Sequence, residues 1–204
     1  VITKAQIYNL ALSALLLSRK VSDTDNDPSN EIKVLNTWYD IAFQTALEEL
    51  DLDSLAVSAD LLLAESDPND KWLYAYKYPS DCVFFRRIES LQIIDNRDTR
   101  IPYRIGMLDG QKVIFTNEYQ AIGDYVSKDI SLAQLDGTAA LAIALKLASL
   151  SAPLITGKGA KTLVQDINAK YLVAKLEAKK KDQMENFQFV DPETESEFVR
   201  ERMS

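Results

Sequence analysis

The stretch TAALAIALKLASLSAP, from Thr138 to Pro153, decides how this chain folds. Leu135, Ala139, Ala142, Ile143, Leu147 and Leu150 recur at helical spacing, and the residues between them are almost all apolar too. A helix that is apolar around most of its circumference belongs inside a protein, wrapped by other elements. Helical periodicity is expected to begin near Ser131, with Pro153 and Gly157 marking its end. Lys146 and several serines break the run, and no segment is expected to approach the length of a membrane span.

The wrapping helices are readable upstream and downstream. Thr3 suits an N-cap, and behind it Ile7, Leu10, Ala11, Ala14 and Leu17 share a face. The polar stretch Ser22–Pro28 ends that helix. Pro28 and Ser29 then open a second, in which Ile32, Leu35, Tyr39, Ala42, Ala46 and Leu50 repeat the pattern, so the pair forms a helical hairpin. A last helix is expected from about Lys158 to Glu185, with Leu163, Ile167, Tyr171, Ala174 and Ala178 on one face. The middle of the chain differs. Tyrosine, phenylalanine, isoleucine and valine become frequent from Trp72 to Val126. Val83–Phe85 with Ile88, Leu91–Ile94, Ile101–Met107 and Lys112–Thr116 read as strands. Asp109-Gly110 suits a tight hairpin, because both residues tolerate positive φ. Residues 54–70 can be read either way, with an extended segment preferred.

The expected architecture is therefore mainly α. It comprises an antiparallel helical bundle (residues 1–72 and 129–185), a small antiparallel β insertion (73–128) and an extended C-terminal tail (186–204). The tail mixes Phe187, Phe189, Val190, Phe198 and Val199 with many acids, too few apolar groups to bury by themselves.

Composition narrows the chemistry. Hydrophobic residues make up 47% of the chain, enough for a core, and the formal net charge is −8, which argues against a phosphate backbone as the main partner. Histidine is absent, which removes the commonest general base and every Ser-His or Cys-His pair. Cys82 is the only cysteine, so no intramolecular disulfide can form. Val1–Lys20 lacks a basic leader and a cleavage site and does not read as a signal peptide.

Several motifs fail on inspection. Asp23-Thr-Asp-Asn-Asp27 begins like a calcium loop, but Pro28 and Val34 stand where the loop needs glycine and a bidentate glutamate. Thr156-Gly-Lys-Gly159 lacks the full phosphate-loop pattern and the preceding strand. The acids Glu48, Glu49, Asp51 and Asp53 read as a charged helix end. Lys170, Lys175, Lys179, Lys180 and Lys181 concentrate positive charge in the last helix. They are either contacts to DNA or an acidic neighbouring subunit, or simply a solvated face. Tyr74, Tyr76 and Tyr78 alternate as a strand with one packed face does, although stacking on bases is the other reading. No catalytic residue, metal or cofactor is expected.

The order of these parts resembles the tail tubular protein A and head–tail adaptor family of short-tailed phages. Three stretches carry the likeness. They are the N-terminal helical hairpin, the run Tyr74-Ala-Tyr-Lys-Tyr-Pro-Ser-Asp-Cys82 followed by Arg86, and Ala139–Gly157 followed by the long helix with Tyr171. The likeness spans roughly residues 2 to 186. Relatives place an aromatic cluster after the second helix where this chain has Asp51-Leu-Asp-Ser-Leu55, and the extension after Asn186 has no counterpart. The resemblance implies a non-catalytic virion protein of the phage neck, assembled in the host cytoplasm. It would form a ring, usually dodecameric, below the portal protein, dock the downstream tail or nozzle protein and extend the channel through which DNA passes without sequence-specific binding. Phe187, Phe189, Val190, Phe198 and Val199 would be anchors that order on the portal, and no membrane would be involved. A helical protein-interaction scaffold outside any virus is the alternative.

Overall fold

The structure is a computed structural model that describes residues 1–89, 101–157 and 160–185. Helix α1 (Lys4–Ala14) starts at a capping box. The Thr3 hydroxyl accepts the Gln6 N–H, and the Gln6 side chain accepts the Thr3 N–H. Asn9 then clamps the following loop, donating to the Val21 carbonyl and accepting its N–H at 2.9 and 2.8 Å. Helix α2 (Asn30–Leu50) begins after Ser29 and stops at Asp51, whose φ of +45° breaks the helical path. A 3-10 turn over Asp53–Leu55 leads into the β region.

Seven strands follow: β1 (Ala56–Asp60), β2 (Leu63–Asn69), β3 (Trp72–Lys77), β4 (Cys82–Glu89), β5 (Tyr103–Leu108), β6 (Gln111–Thr116) and β7 (Ile122–Ser127). They form two antiparallel sheets, ordered β1-β7-β4 and β2-β3-β6-β5. After a second 3-10 turn, Leu132–Gln134, the chain enters α3 (Gly137–Thr156) and α4 (Ala160–Glu185).

The layers are helices, three-stranded sheet, four-stranded sheet. Val126 on β7 is buried in the same apolar cluster as Leu47 of α2 and Ile143 of α3, and Phe84 on β4 packs against it. The opposite face of that sheet meets the second one through Phe85, Ile88 and Tyr125, set against Tyr76 and Ile114. Tyr74, Tyr76 and Tyr78 all point into this inter-sheet core, as a strand's two-residue period requires. Asp109 and Gly110 join β5 to β6, with φ of +50° and +78°.

This architecture corrects the mainly α expectation. Helix occupies 49% of the described residues and strand 26%, in two sheets, which makes an α+β fold. Part of the shortfall is β7, over which the sequence reading finds no strand; β1 and β2 fall within residues 54–70, where an extended segment is preferred but the stretch is counted with the helices. Strand β2, LAESDPN, is exposed along nearly all its length, contains Pro68 and departs from regular register, so it shows no alternation to read. It is an edge strand, and charge, proline and irregularity are what protect such an edge from pairing further.

Three smaller corrections concern α3. The helix starts after Asp136, whose carboxylate accepts the Ala139 N–H at 2.6 Å, while Ser131 caps only the preceding 3-10 turn. Pro153 lies inside α3, which continues through it to Thr156, although its ring has no N–H to donate to the carbonyl four residues back. Its twenty residues are also long and apolar enough to cross a bilayer, contrary to the expectation above. Ala139, Ala140, Ala142, Ile143, Ala144, Leu145, Leu147 and Ala148 are all buried within the protein, so its composition is that of a core helix.

Gly123 of β7 is hemmed in by the side chains of Leu61, just after β1, and Phe85 on the neighbouring strand β4. A Cβ there would lie 2.7 Å from Leu61 Cδ2 and 2.9 Å from Phe85 Cε2. Gly123→Val is therefore expected to destabilise the fold by about 1–3 kcal/mol through overpacking, in spite of valine's strand preference. A lowered midpoint in urea unfolding is the readout.

Candidate functional site

The most densely connected polar region lies where α2 ends and the sheets begin. The left-handed turn at Asp51 aims two carboxylates, Asp51 and Asp53, at Arg86 of β4. Arg86 Nε donates to Asp51 at 2.6 Å, and its terminal nitrogen donates to Asp53 at 2.7 Å. Arg86 is largely shielded while its partners are part exposed, so the contact fixes the direction of the sheet relative to α2 more than it stabilises the chain.

From the opposite side, Asp182 of α4 reaches the same turn. Its two carboxylate oxygens accept the backbone N–H groups of Asp53 and Ser54 at 2.7 and 2.9 Å. These are donors at the start of a 3-10 turn, where no intrahelical acceptor exists, so a residue from a distant helix acts as the N-cap. Asp182 is only 7% exposed. A further polar chain sits along the α2–α3–α4 seam, where Glu49 receives Lys146 Nζ at 2.6 Å and the Tyr171 hydroxyl at 2.8 Å. Burial opposes ionisation of Glu49, but those two hydrogen bonds and the nearby lysines hold its carboxyl below the ordinary value.

Asp81, within the run that carries the family resemblance, accepts from the hydroxyls of Ser127 at 2.7 Å and Tyr125 at 3.3 Å. The segment between β3 and β4 is thereby fastened to β7. Cys82 Sγ lies 3.1 Å from the Tyr78 hydroxyl, and burial pushes its thiol up, away from the thiolate a nucleophile needs. Asp124 is the strained member of the region. It is 3% exposed, pairs with Arg87 Nε at 3.0 Å and has no hydrogen bond to Oδ1 among the described residues. Burial raises its carboxyl above the ordinary value against the pull of Arg87 and Arg86.

The lysines singled out from sequence do not act as one patch. Lys170 pairs with Asp166 at 2.7 Å, Lys175 approaches Glu49 at 3.6 Å, and Lys181 pairs with Asp136 at 2.9 Å. Lys179 and Lys180 make no ion pair among the described residues. The acidic loop is likewise occupied locally. Asp23 accepts the N–H groups of Asp25 and Asn26, and Asp27 accepts from Arg19 and from the Ser29 N–H. Among the described residues, no histidine, cysteine, aspartate and glutamate cluster could hold a metal ion. Phe187, Phe189, Val190, Phe198 and Val199, the portal-contact expectation, lie outside the described residues, as do Lys158, Gly159 and the strand expected over Leu91–Ile94.

Arg86 was visible in the sequence as part of a motif, but its partners were not. Asp182 is 129 positions from Asp53, and nothing in a run of lysines and acids marks one aspartate as a cap. No protein-family model matches the chain, and no curated protein matches it.

Two outcomes follow from this geometry. Asp182→Ala strands two backbone donors and should cost about 1–3 kcal/mol in urea unfolding. Asp124 binds its proton more tightly in the folded chain than in the unfolded one. Its contribution to stability is therefore fully present below the unfolded value and lost as pH rises through the raised folded value. Asp124→Asn should abolish that decline. Subtracting the two stability–pH curves should leave a difference that grows in favour of the variant across this window, and a flat difference would contradict the assignment.

Proposed function

We propose that this chain is a structural head–tail connector of a tailed phage, without an active site. It would form a ring below the portal, extend the DNA channel and dock the next tail component. The observation that carries the reading is the run Tyr74–Cys82 with Arg86, in the order helical hairpin, β unit, apolar helix, long helix. The contacts of that run are what a load-bearing subunit needs. Arg86 ties the β unit to the end of α2, and Asp81 ties the β3–β4 connection to β7. Such contacts let helices and sheets move as one piece when neighbours pull on either.

In this reading the helices build the ring wall, the β unit meets the tail side or neighbouring subunits, and residues 186–204 reach the portal through Phe187, Phe189, Val190, Phe198 and Val199. A net charge of −8 suits a channel that DNA must slide through without sticking.

The test is mass in solution, by native mass spectrometry, with and without the cognate portal protein. A closed ring is expected, alone or once the portal is added, and a chain lacking residues 186–204 should lose portal binding at least tenfold. A monomer or dimer that ignores the portal would overturn the connector and favour the helical scaffold instead. Undiminished portal binding by the shortened chain would overturn the role given to the tail.

A further inference from the structure

Helix α4 is apolar on two opposite sides. Ile167, Tyr171, Ala174 and Ala178 are buried against the rest of the protein. Ala169, Leu172, Val173 and Leu176 stand in the open on the other side, with Leu172 and Val173 more than half exposed and Leu176 at 68%. A helix with one packed face would carry charge there. Here the line Ala169, Val173, Leu176, Lys180, at steps of four, three and four, holds a single charge at its C-terminal end.

Helix α2 presents a line of the same spacing. Thr37, Ile41, Gln44 and Glu48 are all exposed, on the side away from buried Ala42, Ala46 and Leu50, and Ile41 is 54% exposed. Laid side by side in the same direction, the two lines set Ile41 on Val173, Gln44 on Leu176 and Glu48 on Lys180. The apolar pair and the charged pair are each seven residues apart, about 10.5 Å on both helices. Neither Glu48 nor Lys180 has an ion pair among the described residues. The charge balance agrees. Helix α4 carries six lysines against four acids in a chain of net charge −8, so another copy offers it an acidic surface.

We infer that the outer face of α4 receives the outer α2 face of a second copy of this chain. Two different faces meet, so the contact is head-to-tail, and repeating it gives a row that either closes into a ring or continues as a filament. Closure rests on the proposed connector, whereas the contact itself stands on the two faces.

Blocking each face separately tests it. Leu176→Asp blocks α4 and Ile41→Asp blocks α2, at exposed positions whose change leaves the core intact, as circular dichroism should verify. Each variant alone is expected to stay monomeric at concentrations where the wild type associates. Mixed in equal amounts they should form a species of twice the 22.9 kDa chain mass, because one intact contact remains between them. Glu48→Lys should weaken wild-type association at least tenfold, and adding Lys180→Glu should restore it. A mixture without the two-copy species overturns the inference. So does faster alkylation of Leu176→Cys once residues 186–204 are removed, which would make the chain's own C-terminal segment the occupant. A wild-type ring that survives both blocks overturns this contact and leaves the connector standing. A capped pair from the mixture, with wild-type rows that never bind the portal, supports the contact and sinks the connector.

Discussion

Burial of most of α3 is the constraint on which the rest of this structure depends. A twenty-residue helix with alanine, leucine and isoleucine on every side cannot stand at a surface without exposing a large apolar area. Covering it takes α1, α2 and α4, with β7 entering the same cluster through Val126. The alanines matter here because small side chains let neighbouring helices come close, so that three of them fit around one. Each covering helix spends one face on α3. What the opposite faces of α2 and α4 do is then left to the surroundings.

The helices were legible because their faces repeat. Thr3 announced the first, and the three- and four-residue steps of Ile32 to Leu50 announced the second. Pro153 misled the reading of α3, since proline usually ends a helix, yet here the helix runs on through it to Thr156. The β unit was half legible. Asp109-Gly110 and the alternating tyrosines spoke for strands with one packed face, whereas β2, solvated and interrupted by Pro68, carries almost no pattern. An edge strand is selected for not pairing, and that same property hides it from periodicity.

The polar contacts were the least legible part. Arg86, Asp182, Glu49 and Asp124 each act through a partner on another element, and single-sequence reasoning sees only neighbours. Their arrangement has a common logic. Asp51 and Asp53 sit at one corner, approached by Arg86 from the sheet and Asp182 from the last helix, so one short turn locates three elements at once. Asp124 goes against the trend. It lies beneath the same corner with one oxygen unsatisfied, where aspartate holds Arg87 in place at a cost in local stability. Lys179 and Lys180 differ from Lys170, Lys175 and Lys181 in meeting no carboxylate among the described residues.

The cap that Asp182 places on Asp53 and Ser54 also bears on the order in which the chain acquires its structure. During synthesis the helical hairpin and the β unit leave the ribosome well before the final turns of α4. Until then the turn at Asp53 lacks its acceptor and α3 lacks one wall, so early intermediates expose part of the core. Contacts between residues this far apart in sequence also close a large loop, which slows folding relative to a simple helical bundle. The subunit is thus completed by its last helix, and surfaces on α4 become available to neighbours only when the rest of the fold is already in place.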